Sequence, residues 1–280
     1  MGCGFKGKLV WLVSLGVGRH CEPAVNLGAC RKTMQSMVRR VASKLAAAVL
    51  ETVLKEAERL LAAGQYAAAA AQLNKGVNLG NLPSRAHLAD LLRSVRNGIV
   101  KDFEMAFRLA EEGVRFGCHH CQGVIACCYV QGLSMPGLVD DEANIFALAL
   151  ESAGKGSKYG QFALGQLRVR AVGVAPDHVA ALAQYRLAAS QHYDWAQHSI
   201  GLVFMNGHGV SRNYAEALRW FKLAAAQGLA AALHVVGLFF QEGYGVSTDI
   251  TKAIRWYKRA AAAGHDGAAR VLRRLQHYGE

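Results

Sequence analysis

A cysteine- and histidine-rich segment near the middle of the chain has the residue types of a metal site. Within eleven residues it contains Cys118, His119, His120, Cys121, Cys127 and Cys128. Thiolates and imidazoles are the ligands that zinc prefers in proteins, and four of them complete a tetrahedral structural site. The segment therefore raises zinc binding as one hypothesis, which depends on the helix faces that these side chains occupy.

A second segment has the spacing of a nucleophile and its base. Ser152 and Lys155 match the Ser-x-x-Lys motif of serine β-lactamases, which needs an exposed serine at the start of a helix. The same segment faintly resembles a phosphate-binding loop, but Gly156 stands where Ser or Thr should follow the lysine, and no strand precedes it. A hydrolase that uses Ser152 and Lys155 is kept as an alternative function.

The composition predicts that helices position all of these residues. The chain of 280 residues is 52% hydrophobic and contains only four prolines. Alanine-rich runs at residues 67–71 and 260–263 favour helix, because alanine loses no side-chain entropy there. We therefore predict an all-α fold.

A period of 36 residues organises the second half of the chain, and such a fixed period is the signature of a repeat protein. It relates Gly165 to Gly201 and Gly237. The same period relates four residues that can cap a helix start, Asp141, Asp177, Asn213 and Asp249. Fifteen residues after each of them comes a position where a helix can end, and these positions are Gly156, His192, Gly228 and Gly264. Asp or Asn can cap a helix start, and Gly just past the end closes the last turn, so each pair brackets one helix.

Each repeat also contains a first helix, which precedes the bracketed second helix and carries the glycine that lets the two helices approach closely. Degraded copies are visible upstream, and residues 267–276 repeat only the first helix. We predict that residues 46–280 form about six helical hairpins followed by a C-terminal capping helix. Residues 1–45 would be a basic leader or a disordered extension.

The repeated pattern resembles the Sel1-like repeat family, relatives of tetratricopeptide repeats. Residues 196–228 and 232–264 match it well, while residues 160–192 depart from it at Ala171 and Gln184. The resemblance implies a right-handed superhelical solenoid of antiparallel helix pairs that serves as a protein-interaction scaffold or adaptor. It implies neither catalysis nor a cofactor.

The repeat alignment gives the candidate chemical residues a structural interpretation. Ser152 and Cys121 fall on positions that hold alanine in later units, while Cys127 and Cys128 fall on apolar helix positions. Free buried cysteine is adequate at such places. We predict no catalytic residue and no metal ligand, with metal binding by the four cysteines left open as an alternative.

The partner-binding surface is predicted on the first helices of the hairpins. When the core positions of each first helix are set aside, three residues spaced i, i+4 and i+7 remain on its surface. Their identities vary from unit to unit, as is expected of a surface that binds a non-repeating ligand. The predicted groove residues are Phe162, Gln166, Val169, His198, Leu202, Met205, His234, Leu238 and Gln241. The expected partner is a protein or peptide.

Charge and targeting signals concentrate at the N-terminus. Residues 1–50 hold eight Lys or Arg and one acid, so most of the net charge of +12 lies there and nucleic-acid binding by the repeats is not expected. Residues 9–17 resemble a short signal-peptide core, and the basic segment that follows is compatible with a transit peptide. A secreted or organelle-targeted adaptor is therefore an alternative to a cytoplasmic one, and any membrane contact would be made through this leader alone.

Overall fold

The fold is all-α, as the composition predicts. The structure, a computed structural model, describes residues 27–94, 99–132 and 142–277, and the side chains of residues 35–275 within those ranges. The described helices are α1 (Leu27–Ala62), α2 (Tyr66–Asn78), α3 (Leu82–Arg93), α4 (Phe103–Arg115), α5 (His119–Val130), α6 (Glu142–Gly154), α7 (Lys158–Arg170), α8 (His178–Ser190), α9 (Asp194–Asn206), α10 (Tyr214–Ala226), α11 (Ala230–Glu242), α12 (Ile250–Ala262) and α13 (Asp266–His277).

The chain divides into two compact units, Met1–Ala48 and Val49–Glu280. Helix α1 is continuous across this division and across the predicted boundary between residues 45 and 46. Residues 1–26, which include the signal-like segment of the predicted leader, lie outside the described residues. The helices from residue 49 onward, termed the array, are treated next.

Successive helices of the array pack as pairs. Contacts join α3 to α4, α5 to α6, α7 to α8, α9 to α10 and α11 to α12, while the end of α1 meets α2 where Val53 lies beside Gly76. The first helices of neighbouring pairs also touch, as α3 with α5 and α5 with α7. The face formed by the first helices is termed the inner face. This stacking confirms the predicted solenoid of helix pairs.

The predicted N-terminal caps form in each described case. The carboxylates of Asp177 and Asp249 and the side-chain oxygen of Asn213 each accept a hydrogen bond from a backbone N–H three residues on, at 2.8–3.0 Å, and Asp102 forms the same cap at the start of α4, at 2.9 Å. These bonds satisfy donors that the first turn of a helix leaves free. Asp141 lies outside the described residues.

The helix-stop positions adopt the left-handed conformation that the pattern predicts. Gly228 and Gly264 have φ of +79° and +89°. His192, the exception in the sequence pattern, takes the same conformation with φ of +57°, and Ala171 does so with φ of +59° where later units have glycine. A side chain makes this conformation costly, so both positions carry backbone strain that their glycine counterparts do not.

Glycine on the first helices α7, α9 and α11 makes room for an aromatic ring of the second helix. A Cβ on Gly201 would lie 2.6 Å from Phe221 Cε1, and one on Gly237 would lie 2.7 Å from Tyr257 Cδ1. Both rings are fully buried, Phe221 at 0% and Tyr257 at 1% exposure. The predicted close crossing is therefore a contact between helix backbone and ring.

Substitution at these crossings is expected to destabilise the array more than substitution at the connecting turn. Gly201→Leu forces the Phe221 ring to move, and overpacking of this kind typically costs about 1–3 kcal/mol. In Gly207→Ala the added Cβ would lie 3.2 Å from its nearest neighbouring atom. The main destabilisation comes from the φ of +76° at this position and amounts to about 1 kcal/mol of the free energy of unfolding. Chemical denaturation of both variants measures the difference, and Gly201→Leu/Phe221→Leu should recover part of the loss. Equal losses for the two single variants would contradict the close crossing.

Candidate functional site

The cysteine-rich segment lies in the core. Cys118, Cys121, Cys127 and Cys128 are free thiols with at most 4% exposure, so the core positions predicted for the last three are confirmed. Burial raises the pKa of Cys127 to about 12 and that of Cys128 to about 11. Within residues 27–94, 99–132 and 142–277, no group of three or more His, Cys, Asp or Glu is placed to hold a metal ion.

Cys118 and Cys121 have a relation that the sequence analysis missed. Cys118 is the N-cap residue of α5, and interaction with the neighbouring Cys121 thiol lowers the pKa of Cys118, while both thiols lie within weak hydrogen-bonding distance of the Leu82 carbonyl oxygen, at 3.7 and 4.0 Å. A cysteine three residues before another at a helix start is the sequence signal for such a pair. The Cys118 side chain is nevertheless only 4% exposed, which shields it from reagents.

The Ser-x-x-Lys segment has no nucleophile geometry. Ser152 is fully buried near the end of α6, and its hydroxyl donates a hydrogen bond to the His119 carbonyl oxygen at 2.6 Å. Lys155 points to solvent and pairs with Glu151 at 2.6 Å. The predicted interpretation of Ser152 as a small core residue is confirmed, because its hydroxyl stabilises the contact between α6 and the start of α5.

Most of the predicted groove residues are half-buried on the first helices α7, α9 and α11. Phe162 is different: it is 6% exposed, and its ring packs against those of Tyr185 and Tyr193, so it belongs to the core. Gln166 donates a hydrogen bond to Ser199 on the next first helix at 3.1 Å. The partly exposed members are Gln166, Val169, His198, Leu202, Met205, His234, Leu238 and Gln241.

The two histidines of this set occupy different environments. His198 packs edge-on against Phe221, and its burial lowers its pKa to about 4. His234 stacks on His265 with ring centroids 4.3 Å apart, and partial burial lowers the pKa of both. His265 Nδ1 accepts a hydrogen bond from the Ala268 N–H, so this pair supports the start of α13.

A cavity of about 360 Å³ opens on the inner face of the array. Its walls come from the last turns of α1, the first residue of α2, the middle of α3, the starts of α7 and α9, the turn before α9 and the C-cap of α10. The lining therefore extends from Glu58 to Gln227 along the sequence. None of the nine predicted groove residues lines it.

A buried charge network forms one wall of the cavity. Arg93, 1% exposed, pairs with Asp90 at 2.5 Å and also donates to the Tyr193 hydroxyl. That hydroxyl donates in turn to Asp90 at 2.8 Å. The network joins α3 to the turn before α9, 100 residues further along the chain, and so fixes the distance between two pairs that are not neighbours in sequence.

Lys158 is the cationic group of the cavity lining. It is half-buried at the start of α7, and this burial lowers its pKa although Asp90, Glu58 and Asp194 act in the opposite direction. Its ammonium lies 5.3 Å from the centre of the Tyr159 ring, and it makes no hydrogen bond or ion pair with any residue of the described ranges. The ammonium therefore has donors available to an incoming acceptor.

The first pair meets a later one beside the cavity. The Tyr66 hydroxyl donates a hydrogen bond to the carbonyl oxygen of Gln227, the C-cap of α10. A Cβ on the following Gly228 would lie 2.7 Å from the Tyr66 hydroxyl oxygen. This contact, across 161 residues, closes one side of the cavity.

Two cavity residues lie one helical turn before predicted groove residues. On α7, Lys158 precedes Phe162 by four residues, and on α9, Asp194 precedes His198 by four. Residues four apart lie above one another on a helix. On α9 the cavity residue Asp194 therefore lies one turn before His198, whereas on α7 the residue one turn after Lys158 is Phe162, which belongs to the core.

Three segments of the array match a known repeat. Residues 158–193, 196–229 and 230–265 fit the family model of the Sel1 repeat. Residues 158–265 carry three Sel1 repeats. The resemblance found in the sequence is thereby confirmed, and Sel1 repeat proteins are generally protein-interaction scaffolds. No curated protein has a significantly similar sequence.

Solved structures with Sel1-like folds are similar to the chain. A Sel1 repeat protein from Oxalobacter formigenes has a TM-score of 0.53 and 22% identity, over 79% of this chain and 86% of that chain. The protective antigen c5321 of uropathogenic Escherichia coli strains has a TM-score of 0.52 and 22% identity, over 86% of this chain and 52% of that chain. At this level of identity the likeness concerns the fold alone.

Proposed function

We propose that the Sel1 array is a protein-interaction adaptor that binds a partner segment on its inner face and anchors it in the cavity. The observation that carries this proposal is the cavity itself, which is built by residues from several pairs. Its volume is at the low end of the range for small-molecule sites, about 300–1,000 Å³. That volume suits a side chain or a chain end of a larger partner.

The cavity lining indicates which group the partner presents. Lys158 supplies ammonium donors without a direct partner among the described residues, while Asp90 already accepts hydrogen bonds from Arg93 and Tyr193. The anchoring group is therefore an oxygen acceptor, a main-chain carbonyl or a carboxylate. From there the segment follows the stripe along α7, α9 and α11.

His192 supports a binding role for this cavity. It lines the cavity and holds a left-handed conformation that glycine takes in the units before and after it. Backbone strain in a non-glycine residue persists where the surroundings or a function maintain it. Histidine at this position therefore lowers the stability of the fold through its backbone strain, and it places an imidazole at the cavity wall.

The test uses the full chain to capture a partner from a native lysate and then measures the Kd of the purified pair. Lys158→Met is expected to weaken binding by about 10-fold or more, because a hydrogen bond to a charged group contributes about 1.5–3 kcal/mol. His192→Gly should weaken binding several-fold while leaving the melting temperature equal or higher. As a matched control, Arg219→Gln/Lys222→Gln changes two exposed residues of α10 and should keep Kd within about twofold.

Other results of these binding measurements would assign the partner-binding site to a different surface. If both cavity variants bind like the wild type, the cavity is not the anchor. If the α10 control loses binding instead, the partner lies on the outer surface. Met205→Gln and Leu238→Gln test the stripe separately, and unchanged Kd in both would restrict the interface to the cavity.

A further inference from the structure

The N-terminal half of α1 exposes an apolar face. Met37, Val38, Val41 and Leu45 are 60–66% exposed, and every residue from 35 to 49 is exposed. Met37, Val41 and Leu45 are spaced i, i+4, i+8, so they form one stripe on the helix, with Val38 beside it. Four large apolar side chains on one exposed face mark an interaction surface.

The rest of this helix segment is cationic. Residues 27–50 contain five basic residues and no acid. With 100° per residue, Arg40 and Lys44 border the apolar stripe, and Arg39 lies on the opposite side. Long cationic side chains at the edge of an apolar face can extend to an anionic layer while the stripe enters the apolar region beneath it.

We infer that residues 27–49 form an amphipathic helix that binds peripherally to anionic lipid bilayers. Charge complementarity selects this occupant, because each Lys or Arg near an anionic membrane surface adds to binding and no acid in the segment opposes it. A second copy of the same helix is a poorer occupant, because pairing would place five cations beside five others. Among the described residues no helix has the length and apolar character needed to cross a bilayer. The inference goes beyond the adaptor function and does not depend on it.

The experiment is co-sedimentation of the full chain with vesicles of pure phosphatidylcholine and with vesicles that contain phosphatidylglycerol. Binding is expected to be at least tenfold tighter to the phosphatidylglycerol vesicles and to weaken strongly in 0.5 M salt. Arg39→Gln/Arg40→Gln/Lys44→Gln should lose on the order of 100-fold in affinity. Val41→Ser/Leu45→Ser, which keeps every charge, should lose tenfold or more.

A matched variant separates this helix from the basic residues of the array. Arg219→Gln/Lys222→Gln/Arg255→Gln also removes three exposed cations and should keep vesicle binding within about twofold. Circular dichroism should show unchanged helicity for all variants, because the altered residues are exposed.

Three results would overturn the inference. The first is equal binding to neutral and anionic vesicles, or binding to neither. The second is an equal loss in the array variant. The third is that the wild-type protein binds no vesicles and sediments as a dimer, while Val41→Ser/Leu45→Ser sediments as a monomer. That result would assign the apolar stripe to self-association.

Discussion

Lowering the pH from 7 to 4.5 is expected to remove on the order of 5 kcal/mol from the free energy of unfolding of the array. Three histidines account for this loss. Burial, with the charge of Lys158, lowers the pKa of His87 to about 3, and burial with the neighbouring His119 lowers that of His120 to about 4. Burial also lowers the pKa of His198 to about 4.

The direction follows from which state binds the protons. The unfolded chain protonates these histidines near pH 6.5, whereas the folded chain resists protonation until pH 3–4. Their contribution to stability is fully present above pH 6.5 and declines as the pH falls from there toward the folded pKa values. Each histidine contributes up to about 1.4 kcal/mol per pH unit in that interval.

Urea denaturation at a series of pH values measures this dependence, and His198→Phe isolates one of its sources. The repeat places Phe162 at the equivalent position of the preceding unit, so phenylalanine fits the same environment. The variant should match the wild type or exceed it in stability at pH 7 and show a shallower slope between pH 6 and 4.5. Leu202→Met, on the same helix, should keep the slope. A slope unaffected by His198→Phe would show that His198 is not held neutral in the folded state.

Replacing Arg93 with methionine is expected to lower the free energy of unfolding by about 3–5 kcal/mol. The change leaves the buried Asp90 carboxylate with the Tyr193 hydroxyl as its remaining partner in the network. A carboxylate stranded in this way costs its desolvation energy, so the loss exceeds that of the ion pair alone. Guanidinium chloride or thermal denaturation of the variant gives the measurement.

Two comparisons make this prediction specific. Asp90→Leu/Arg93→Met removes both charges and should lose less than Arg93→Met alone. Lys155→Met breaks an exposed pair with Glu151 and should cost less than about 1 kcal/mol. Similar losses for Arg93→Met and Lys155→Met would mean that the network is solvated and contributes as a surface pair does.

The repeat geometry could be predicted from sequence because its determinants are local. Asp249 and Gly264 begin and end one helix through contacts within a few residues, and the period repeats them. Gly237 meets Tyr257, only twenty residues away in the same pair. In the part of the chain that the structure describes, two non-glycine residues have positive φ, Ala171 and His192, and both are positions where the sequence departs from the repeat pattern.

The cavity could not be predicted in the same way. It depends on contacts such as Arg93 with Tyr193 and Tyr66 with Gln227, which join pairs that are far apart in sequence and have no counterpart 36 residues away. Phe162, predicted to face the groove, is covered by Tyr185 of its own pair and by Tyr193 of the next pair. A one-dimensional pattern specifies neighbouring units, whereas these contacts depend on how far the stack turns.

The hydrogen bond between Tyr66 and Gln227 also fixes the number of repeats between them. In an open solenoid, duplication of one unit lengthens the stack, because each unit contacts only its neighbours. Here an extra pair inserted between α3 and α9 would shift Gln227 away from Tyr66 and Tyr193 away from Arg93, and it would open the cavity. A helix pair can therefore be added or lost without opening the cavity only after α10, among α11, α12 and α13, which follow the contact between Tyr66 and Gln227.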